Sequence, residues 1–255
     1  MLLVIDIGNT SISLGVYDGE KLAASLRVAT VIHRLPDEYA SLLLHLLDIN
    51  GIDPKSIAKV ALCSVVPPLT DNFEDLCRRY FHTDPLTVGA GTKTGVKIRM
   101  DNPREVGADR IVNAAAAFHL YKTACIVVDL GTATTFDTVS ATGDYIGGAI
   151  APGIATAAEA LTSRTSMLPR IELHRPEKAI GTSTVKAMQS GLVFGYVGLV
   201  EGIVERIQKE LPSKAKVIAT GGYAELLAAE TKIFDAVSPD LTLYGLRLIY
   251  FMNRA

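Results

Sequence analysis

The sequence predicts an α/β protein built from two similar halves, and three observations lead to this prediction. An apolar run that ends in Asp, an apolar residue and Gly occurs twice, in residues 2–10 and in residues 126–135. The two aspartates, Asp6 and Asp129, are 123 residues apart, which is nearly half of the chain. Segments with helical periodicity, such as 37–49, alternate with the strand-like runs. This pattern is typical of a duplicated domain that holds one ligand between its halves.

The repeated motif has the residue types of a phosphate-binding turn. Its β-branched run fits a strand that is buried on both faces. A lone carboxylate is costly to bury, so we expect Asp129 to meet a cation, a hydrogen-bond donor or water. Gly131 permits a tight turn, and the Thr132 hydroxyl adds to the free amides of that turn. The alternative is two ordinary strands that end in polar turns, but two copies at this spacing favour a duplication.

The first half reads as an ordered series of strands and helices. Strands are predicted at 2–7, 13–17, 21–28, 59–63 and 86–88, with helices at 37–49 and from the prolines at 67 and 68 to residue 80. The stretch Gly91–Thr94 contains a lysine after Gly and Thr, but it lacks the glycine spacing of a P-loop.

The densest polar stretch is Asp101–Arg110, which leads into a small-residue helix predicted at 111–121. Acidic residues suit a helix N-terminus, so this stretch could be only a cap and a solvated turn. Its position favours a function instead. Asp109 and Arg110 stand between a glycine and an apolar helix, just before the second phosphate-type turn.

The second half repeats the hairpin and then continues with helices. A Gly- and Pro-rich loop is predicted at 147–153, and the later elements are helices at 155–162, 185–210 and 224–230 and a strand at 216–219. Four glycines in the 185–210 helix predict close packing against another backbone, since each would weaken an exposed helix by about 1 kcal/mol. Gly221 and Gly222 follow the strand and suit the approach of a flat group such as adenine. Ser238 and Pro239 predict the N-cap and first residue of the last helix.

Composition excludes several classes of protein. The 255 residues contain 25 Lys and Arg against 27 Asp and Glu, a net charge of −2 that offers no basic footprint for nucleic acid. The three cysteines show no CxxC spacing, which favours a reducing cytosol over disulfides or thiolate metal sites. The N-terminus does not read as a signal peptide, and no uncharged run reaches the roughly 18 residues of a membrane span.

Four motifs in this order resemble those of the type III pantothenate kinases, within the acetate and sugar kinase, Hsc70 and actin superfamily. They are Asp-x-Gly-Asn-Thr at 6–10, Asn-Pro-Arg-Glu-Val-Gly-Ala-Asp-Arg at 102–110, Asp-x-Gly-Thr-Ala-Thr-Thr at 129–135 and Thr-Gly-Gly at 220–222. The resemblance implies an α/β fold of two duplicated ribonuclease H-like (actin-like ATPase) domains with mixed central sheets, at 1–115 and 116–255.

The resemblance also implies an activity, ATP-dependent phosphorylation of pantothenate to 4'-phosphopantothenate, the first step of coenzyme A biosynthesis. Asp129 would bind a monovalent cation, K⁺ or NH₄⁺, and Mg²⁺ would accompany ATP near Asp6. The family further implies a homodimer, whereas the expected cytoplasmic location and the expected lack of nucleic-acid or membrane partners come from the composition. The implied ATP-binding residues are Asp6, Ile7, Gly8, Asn9, Thr10, Ser11, Ile12, Ser13 and Thr132, and the implied substrate-binding residues are Met100, Gly107, Ala108, Asp109, Arg110 and Thr184.

The residue chemistry fits this implied reaction. A carboxylate near a primary alcohol can take its proton as the phosphoryl group leaves ATP, and Asp109 is the predicted base. The planar fork of Arg110 suits the pantothenate carboxylate. Met100 departs from the Tyr that many members carry, and a thioether cannot donate a hydrogen bond. A kinase of another small alcohol, such as a sugar, and a non-catalytic regulatory protein of transcription are the alternatives.

Overall fold

The computed structural model describes residues 1–254, which form eleven strands and seven α-helices. The strands are β1 (Leu2–Ile7), β2 (Ser11–Asp18), β3 (Lys21–Ala29), β4 (Lys59–Ser64), β5 (Leu86–Thr87), β6 (Lys97–Ile98), β7 (Cys125–Leu130), β8 (Ala133–Val139), β9 (Asp144–Pro152), β10 (Lys216–Thr220) and β11 (Ala236–Val237). The helices are α1 (Pro36–Ile49), α2 (Pro67–Tyr80), α3 (Ala108–Tyr121), α4 (Ile154–Arg164), α5 (Thr184–Glu210), α6 (Ala224–Ala228) and α7 (Leu241–Asn253).

The chain divides into two compact units. The first comprises Met1–Gly95, Asn102–Ala116 and the C-terminal segment from Asp240, and the second comprises Val96–Asp101 and Ala117–Pro239. The domain boundary predicted between residues 115 and 116 stays a prediction, because compactness in the folded chain does not measure which segments fold independently.

The first unit is built on a five-stranded mixed sheet in the order β3-β2-β1-β4-β5. Its first three strands form an antiparallel meander, and β4 and β5 run parallel to β1. Helices α1 and α2 bury apolar side chains such as Leu43 and Phe73 in one core with strand residues such as Leu62. Helix α7 packs on β1, β2 and β4 of the same unit.

The second unit repeats this topology. Its six-stranded sheet has the order β11-β10-β7-β8-β9-β6, so five of its strands follow the same order as the first sheet, with β6 added beside β9. Strands β7, β8 and β9 form the antiparallel meander, and β10 runs parallel to β7. Helix α5 contributes Val193 and Val200 to a core that also contains Phe136 of β8.

The two meanders share the burial pattern of their first strand and the position of a register shift, which confirms the predicted duplication. Strands β1 and β7 have the same sequence of buried and half-buried residues. The register shifts between Val16 and Tyr17 in the first unit and between Thr138 and Val139 in the second. These shifts align the second strands and make Val16 the counterpart of Thr138.

Three predicted elements differ clearly from the structure: one predicted loop is a strand, and two helices begin at a different residue. The 147–153 loop is the second half of strand β9, because Gly148 pairs with Asp137 so closely that a Cβ there would lie 1.6 Å from the Phe136 carbonyl oxygen. Helix α3 begins at Ala108 and not at residue 111. Helix α7 begins after Asp240, since the Ser238 amide donates to the Ala219 carbonyl and continues the sheet.

The glycine-rich helix α5 also differs from its prediction. No heavy atom of residues 1–254 beyond its own helical turn lies within 4 Å of a Cβ placed at Gly191, Gly195 or Gly198, so no other backbone of the chain packs there. Within the described residues, α5 alone is long and apolar enough to cross a bilayer, and 39% of that window is buried. A core helix of a globular protein meets the same criteria of length and composition.

Candidate active site

In the first unit, two parallel strands bring candidate residues to one edge of the sheet. Asp6 and Cys63 are register partners near the carboxyl ends of β1 and β4. The Val65 amide then donates to the Ile7 carbonyl at 3.1 Å, which holds the two strand ends together. Ligands of α/β proteins bind outside the carboxyl ends of such strands. This edge is therefore the candidate site of the first unit.

The turn between β1 and β2 is fixed by its own backbone. The Gly8 amide donates to the Ser11 carbonyl at 3.1 Å, and the Thr30 hydroxyl donates to the Gly8 carbonyl at 2.6 Å. Asn9 and Thr10 are exposed at the tip, where their side chains and amides can reach a phosphate. Among the other residues predicted to bind ATP, Ile7 and Ile12 are fully buried, so only their backbone could contribute.

The predicted base, Asp109, and two predicted substrate residues, Ala108 and Arg110, lie in the first turn of α3, directly after Gly107. The Asp109 carboxylate accepts a hydrogen bond from the Arg110 amide at 2.8 Å. A Cβ on Gly107 would lie 2.5 Å from Asp109 Oδ1 and 3.6 Å from a Val65 methyl group, so the segment leaves no room for a larger residue before Ala108. The sequence placed these residues before the helix, whereas the helix N-terminus itself presents them.

Burial controls the electrostatics of these groups. Desolvation raises the pKa of Asp109, and the backbone N–H and positive charge of Arg110 oppose that rise. Desolvation, followed by the charges of Asp6 and Asp109, raises the pKa of Cys63 well above its usual value. The Cys63 thiol is also hydrogen-bonded to Asp6. Asp6, Cys63 and Asp109 thus form one interacting group, of which the sequence analysis missed Cys63 because only strand register places it opposite Asp6.

The second unit presents its own turn, between β7 and β8. The Thr132 carbonyl accepts hydrogen bonds from the Gly153 amide at 3.0 Å and from the Thr156 hydroxyl at 2.7 Å. The N-terminus of α4 therefore anchors this turn from behind, while Thr132 itself is exposed. Positive ends of helix dipoles near a turn favour a bound anion.

Asp129 ends β7 beside a strand end that contains glycine. A Cβ on Gly221 would lie 2.5 Å from Asp129 Oδ1 and 2.7 Å from the Leu130 backbone, and Gly221 has φ +90°. Gly221 is therefore required by the packing of the chain itself, whereas the sequence pattern predicted that it allows adenine to approach. The Asp129 carboxylate, which lies beside a glycine, is the type of ligand that a hard cation prefers. Residues 1–254 contain no group of three His, Cys, Asp or Glu side chains arranged for a metal, so further ligands would be hydroxyl, carbonyl or water oxygens.

Two predicted substrate residues also belong to the second unit. Met100 lies against Gly147, where its sulfur is 3.3 Å from the position that a Cβ would occupy. Thr184 is the exposed first residue of α5, and the Ser183 hydroxyl caps this helix by accepting from the Lys186 amide at 3.3 Å. The first unit holds the other predicted substrate residues, at 107–110.

The repeated meander with its Asp- and Gly-containing turns defines a protein of the actin-like ATPase and sugar kinase class, as predicted. The ethanolamine utilization protein EutJ from Carboxydothermus hydrogenoformans shares the fold, with TM-score 0.58, 15% identity and coverage of 97% of this chain and 89% of that one. A ROK hexokinase from Thermus thermophilus has TM-score 0.50 and 13% identity, with 98% of each chain covered.

The sequence comparisons narrow this class to one family. Residues 2–206 match the profile of the type III pantothenate kinases. A type III pantothenate kinase of Dehalococcoides mccartyi is 63% identical over 100% of this chain and 98% of its own length. One from Roseiflexus castenholzii is 57% identical with both chains fully covered. The chain belongs to the type III pantothenate kinase family.

Proposed function

We propose that this chain transfers a phosphoryl group from ATP to pantothenate, giving 4'-phosphopantothenate in the first step of coenzyme A biosynthesis. Its membership of the family supports the reaction. The observation in the structure that carries the proposal is the half-buried Asp109 at the N-terminus of α3, which lies near the same Cys63 thiol as Asp6 at the end of β1, so that both charges raise the pKa of that thiol.

The proposed base is Asp109. Its carboxylate takes the proton of the pantothenate primary hydroxyl as the oxygen attacks the γ-phosphorus of ATP. Its raised pKa makes it a stronger base than an exposed aspartate, while the Arg110 charge keeps the ionised form accessible. Arg110 offers two parallel N–H groups to the pantothenate carboxylate. Gly107, Ala108, Met100 and Thr184 complete the proposed substrate contacts, with Met100 contributing only van der Waals contact.

The proposed ATP contacts are backbone amides and hydroxyls. In the first unit they come from residues 6–13, and in the second from Thr132 and its turn. The Asp6 carboxylate would hold Mg²⁺, which neutralises charge on the transferred phosphoryl group when bound. Phosphoryl transfer depends mainly on such positioning, so rigidly held turns suit it.

Asp129 is proposed to bind the monovalent cation, K⁺ or NH₄⁺. Its carboxylate packs closely on two residues without side chains, Gly131 and Gly221, and carboxylate oxygens suit hard cations. The role proposed for this residue is electrostatic, because a bound cation offsets the negative charge that ATP brings to the protein.

A homodimer is proposed from the surface of α5. Gly191, Gly195, Gly198 and Gly202 recur every three or four residues and therefore lie on one stripe of the helix. The first three have open space where a side chain would stand. Glycines cost helix stability, and a second copy packed closely on the stripe would offset that cost.

The proposed compartment is the cytoplasm, with no nucleic-acid or membrane partner. All three cysteines are free and buried, which is compatible with a reducing environment. The net charge of −2 gives no electrostatic drive toward nucleic acid.

An acceptor screen tests the proposed reaction. ADP formation is measured with ATP and Mg²⁺ in the presence of pantothenate, of hexoses or of no acceptor, and each reaction is run in K⁺, NH₄⁺ and Na⁺ buffers. The proposal expects turnover only with pantothenate and higher turnover in K⁺ or NH₄⁺ than in Na⁺. Turnover with a hexose and none with pantothenate would refute the substrate, whereas equal turnover in all three buffers would refute the cation alone.

A further inference from the structure

Three polar side chains form a hydrogen-bonded chain on the sheet of the second unit. The Tyr145 hydroxyl donates to Asp137 Oδ1 at 2.7 Å, and the Thr135 hydroxyl donates to Asp137 Oδ2 at 2.9 Å. Asp137 and Tyr145 are fully buried, whereas Thr135 is half-buried. Burying a carboxylate is expensive even when it is hydrogen-bonded, so this group calls for an explanation other than packing.

The duplication provides an internal comparison. With the register shifts of the two meanders aligned, Asp137 is the counterpart of Gly15, and Tyr145 is the counterpart of Leu22. The first unit therefore forms the same meander with a glycine and a leucine where the second has a carboxylate and a phenol. The fold does not require the polar chain, which points to a task that only the second unit performs.

The half-buried end of this hydrogen-bonded group, Thr135, lies beside the proposed cation ligand. Thr135 and Asp129 are direct cross-strand partners in β7 and β8, which places their Cβ atoms about 5 Å apart on the same face. A hydroxyl has one proton and two lone pairs. Because the Thr135 hydroxyl donates its hydrogen bond to Asp137, the Thr135 oxygen has only lone pairs left for its other neighbours. An oxygen so prepared, beside a carboxylate, is a hard ligand for a cation.

We propose that Thr135 is a second oxygen ligand of the monovalent cation at Asp129, and that Asp137 and Tyr145 are positioning residues that fix the Thr135 hydroxyl for this purpose. The proposal rests on the proposed role of Asp129. It also explains how a site with one acidic side chain gains a further oxygen.

The test measures cation binding directly, by the melting temperature as a function of K⁺ at constant ionic strength, with tetramethylammonium as the replacement ion. A ligand that binds only the folded state stabilises it by RT ln(1 + [L]/Kd), so the melting temperature begins to rise once K⁺ reaches its dissociation constant. Thr135→Val removes the hydroxyl and keeps the shape, and Tyr145→Phe removes only the outer donor. We expect the K⁺ concentration at which the melting temperature begins to rise to increase about 10- to 100-fold in Thr135→Val and about tenfold in Tyr145→Phe. Thr135→Ser should restore the wild-type response.

A matched control lies on the same strand. The Thr138 hydroxyl is buried and has no hydrogen-bond partner within residues 1–254, so Thr138→Val makes the same chemical change without breaking a contact. It should keep the wild-type K⁺ response, and an equal loss there would overturn the proposal by showing a general packing effect. A wild-type response in Thr135→Val would also overturn it. If Thr135→Val does not fold, Tyr145→Phe decides in the same way.

Asp129→Asn separates this inference from the role on which it rests. Loss of the K⁺ response in Asp129→Asn, together with a normal response in Thr135→Val, would leave the cation at Asp129 and remove Thr135 from its ligands. If the melting temperature of the wild-type protein does not change with K⁺ concentration, the proposed cation site at Asp129 and the proposed role of Thr135 are both overturned.

Discussion

Asp109 shows how one residue can favour catalysis at the expense of stability. Burial raises its pKa, so the folded state holds the proton more tightly than the unfolded state does. The corresponding contribution to stability is complete below the unfolded pKa and is lost as the pH rises through the folded pKa. At neutral pH the ionised carboxylate therefore disfavours folding, although the reaction needs it ionised.

Asp109→Asn should consequently separate the two effects. We expect turnover to fall by about 10²- to 10⁴-fold, the usual contribution of a general base. The free energy of unfolding at pH 7 should be at least that of the wild type, because the Asn side-chain oxygen can accept the hydrogen bond from the Arg110 backbone amide without carrying a charge. Steady-state kinetics and urea unfolding measure both, with the exposed Asp101→Asn as the matched control. Near-normal turnover would show that another group is the base.

The pH profile gives a second prediction at this residue. Since a base must be ionised, kcat/KM should fall with an acid limb above the ordinary aspartate value of 3.8. The Arg110 charge lowers the pKa of Asp109, so Arg110→Gln should move that limb to higher pH. The measurement is kcat/KM for pantothenate across pH in both proteins. A limb that stays in place in Arg110→Gln would contradict the coupling of these two side chains.

At the scale of elements, the joint between β10 and β7 depends on one glycine. Gly221→Ala should lower the free energy of unfolding by about 2 kcal/mol or more, since it combines a left-handed backbone with contacts near 2.5 Å to Asp129. Gly19→Ala is the control, because Gly19 has φ +59° and no neighbour among residues 1–254 within 4 Å of its Cβ position. It should cost only about 1 kcal/mol. Urea unfolding compares them, and equal costs would refute the close contact at Gly221.

Sequence reasoning succeeded where the determinants are local in the chain. Strand β1 and helix α1 follow from continuous apolar patterns, and their ends were predicted within one residue. Strand β9 was mistaken for a loop because its glycines look like a turn. Only the paired structure shows that Gly148 is needed for close approach to β8. The start of α7 was misplaced because Ser238 is a good N-cap in isolation but is held in the sheet by Ala219.

The candidate site also contains residues that the sequence identified and residues that it did not. Asp6, Asp109 and Asp129 stand in compact motifs, so the sequence identifies them as candidates. Cys63 was missed because it meets Asp6 only through the pairing of β1 with β4, two strands that are far apart in the sequence. Thr135 was overlooked although it ends the 129–135 motif, because its pairing with Asp129 depends on the register that the turn between β7 and β8 sets.

For the whole molecule, the glycine stripe of α5 predicts the oligomeric state. Gly195→Leu should convert a dimer to a folded monomer, because a leucine would occupy the space that a second copy needs. Lys209→Leu adds the same side chain at an exposed position in the last turn of α5 and should leave the dimer intact. Sedimentation velocity with circular dichroism measures mass and folding together. A dimer that persists in Gly195→Leu would place the interface elsewhere.

The position of α7 has a consequence for how the protein is made. This helix packs on β1 and buries Leu241, Leu246 and Ile249 completely, yet Leu241 follows Ile7 by 234 residues. At ordinary rates of translation the ribosome needs on the order of ten to fifty seconds to cover that distance. During this time β1 lacks the helix that covers it, and its apolar face is available to chaperones or to other nascent chains. A message truncated before the codon for Leu241 would therefore produce an aggregation-prone chain and not a shorter enzyme.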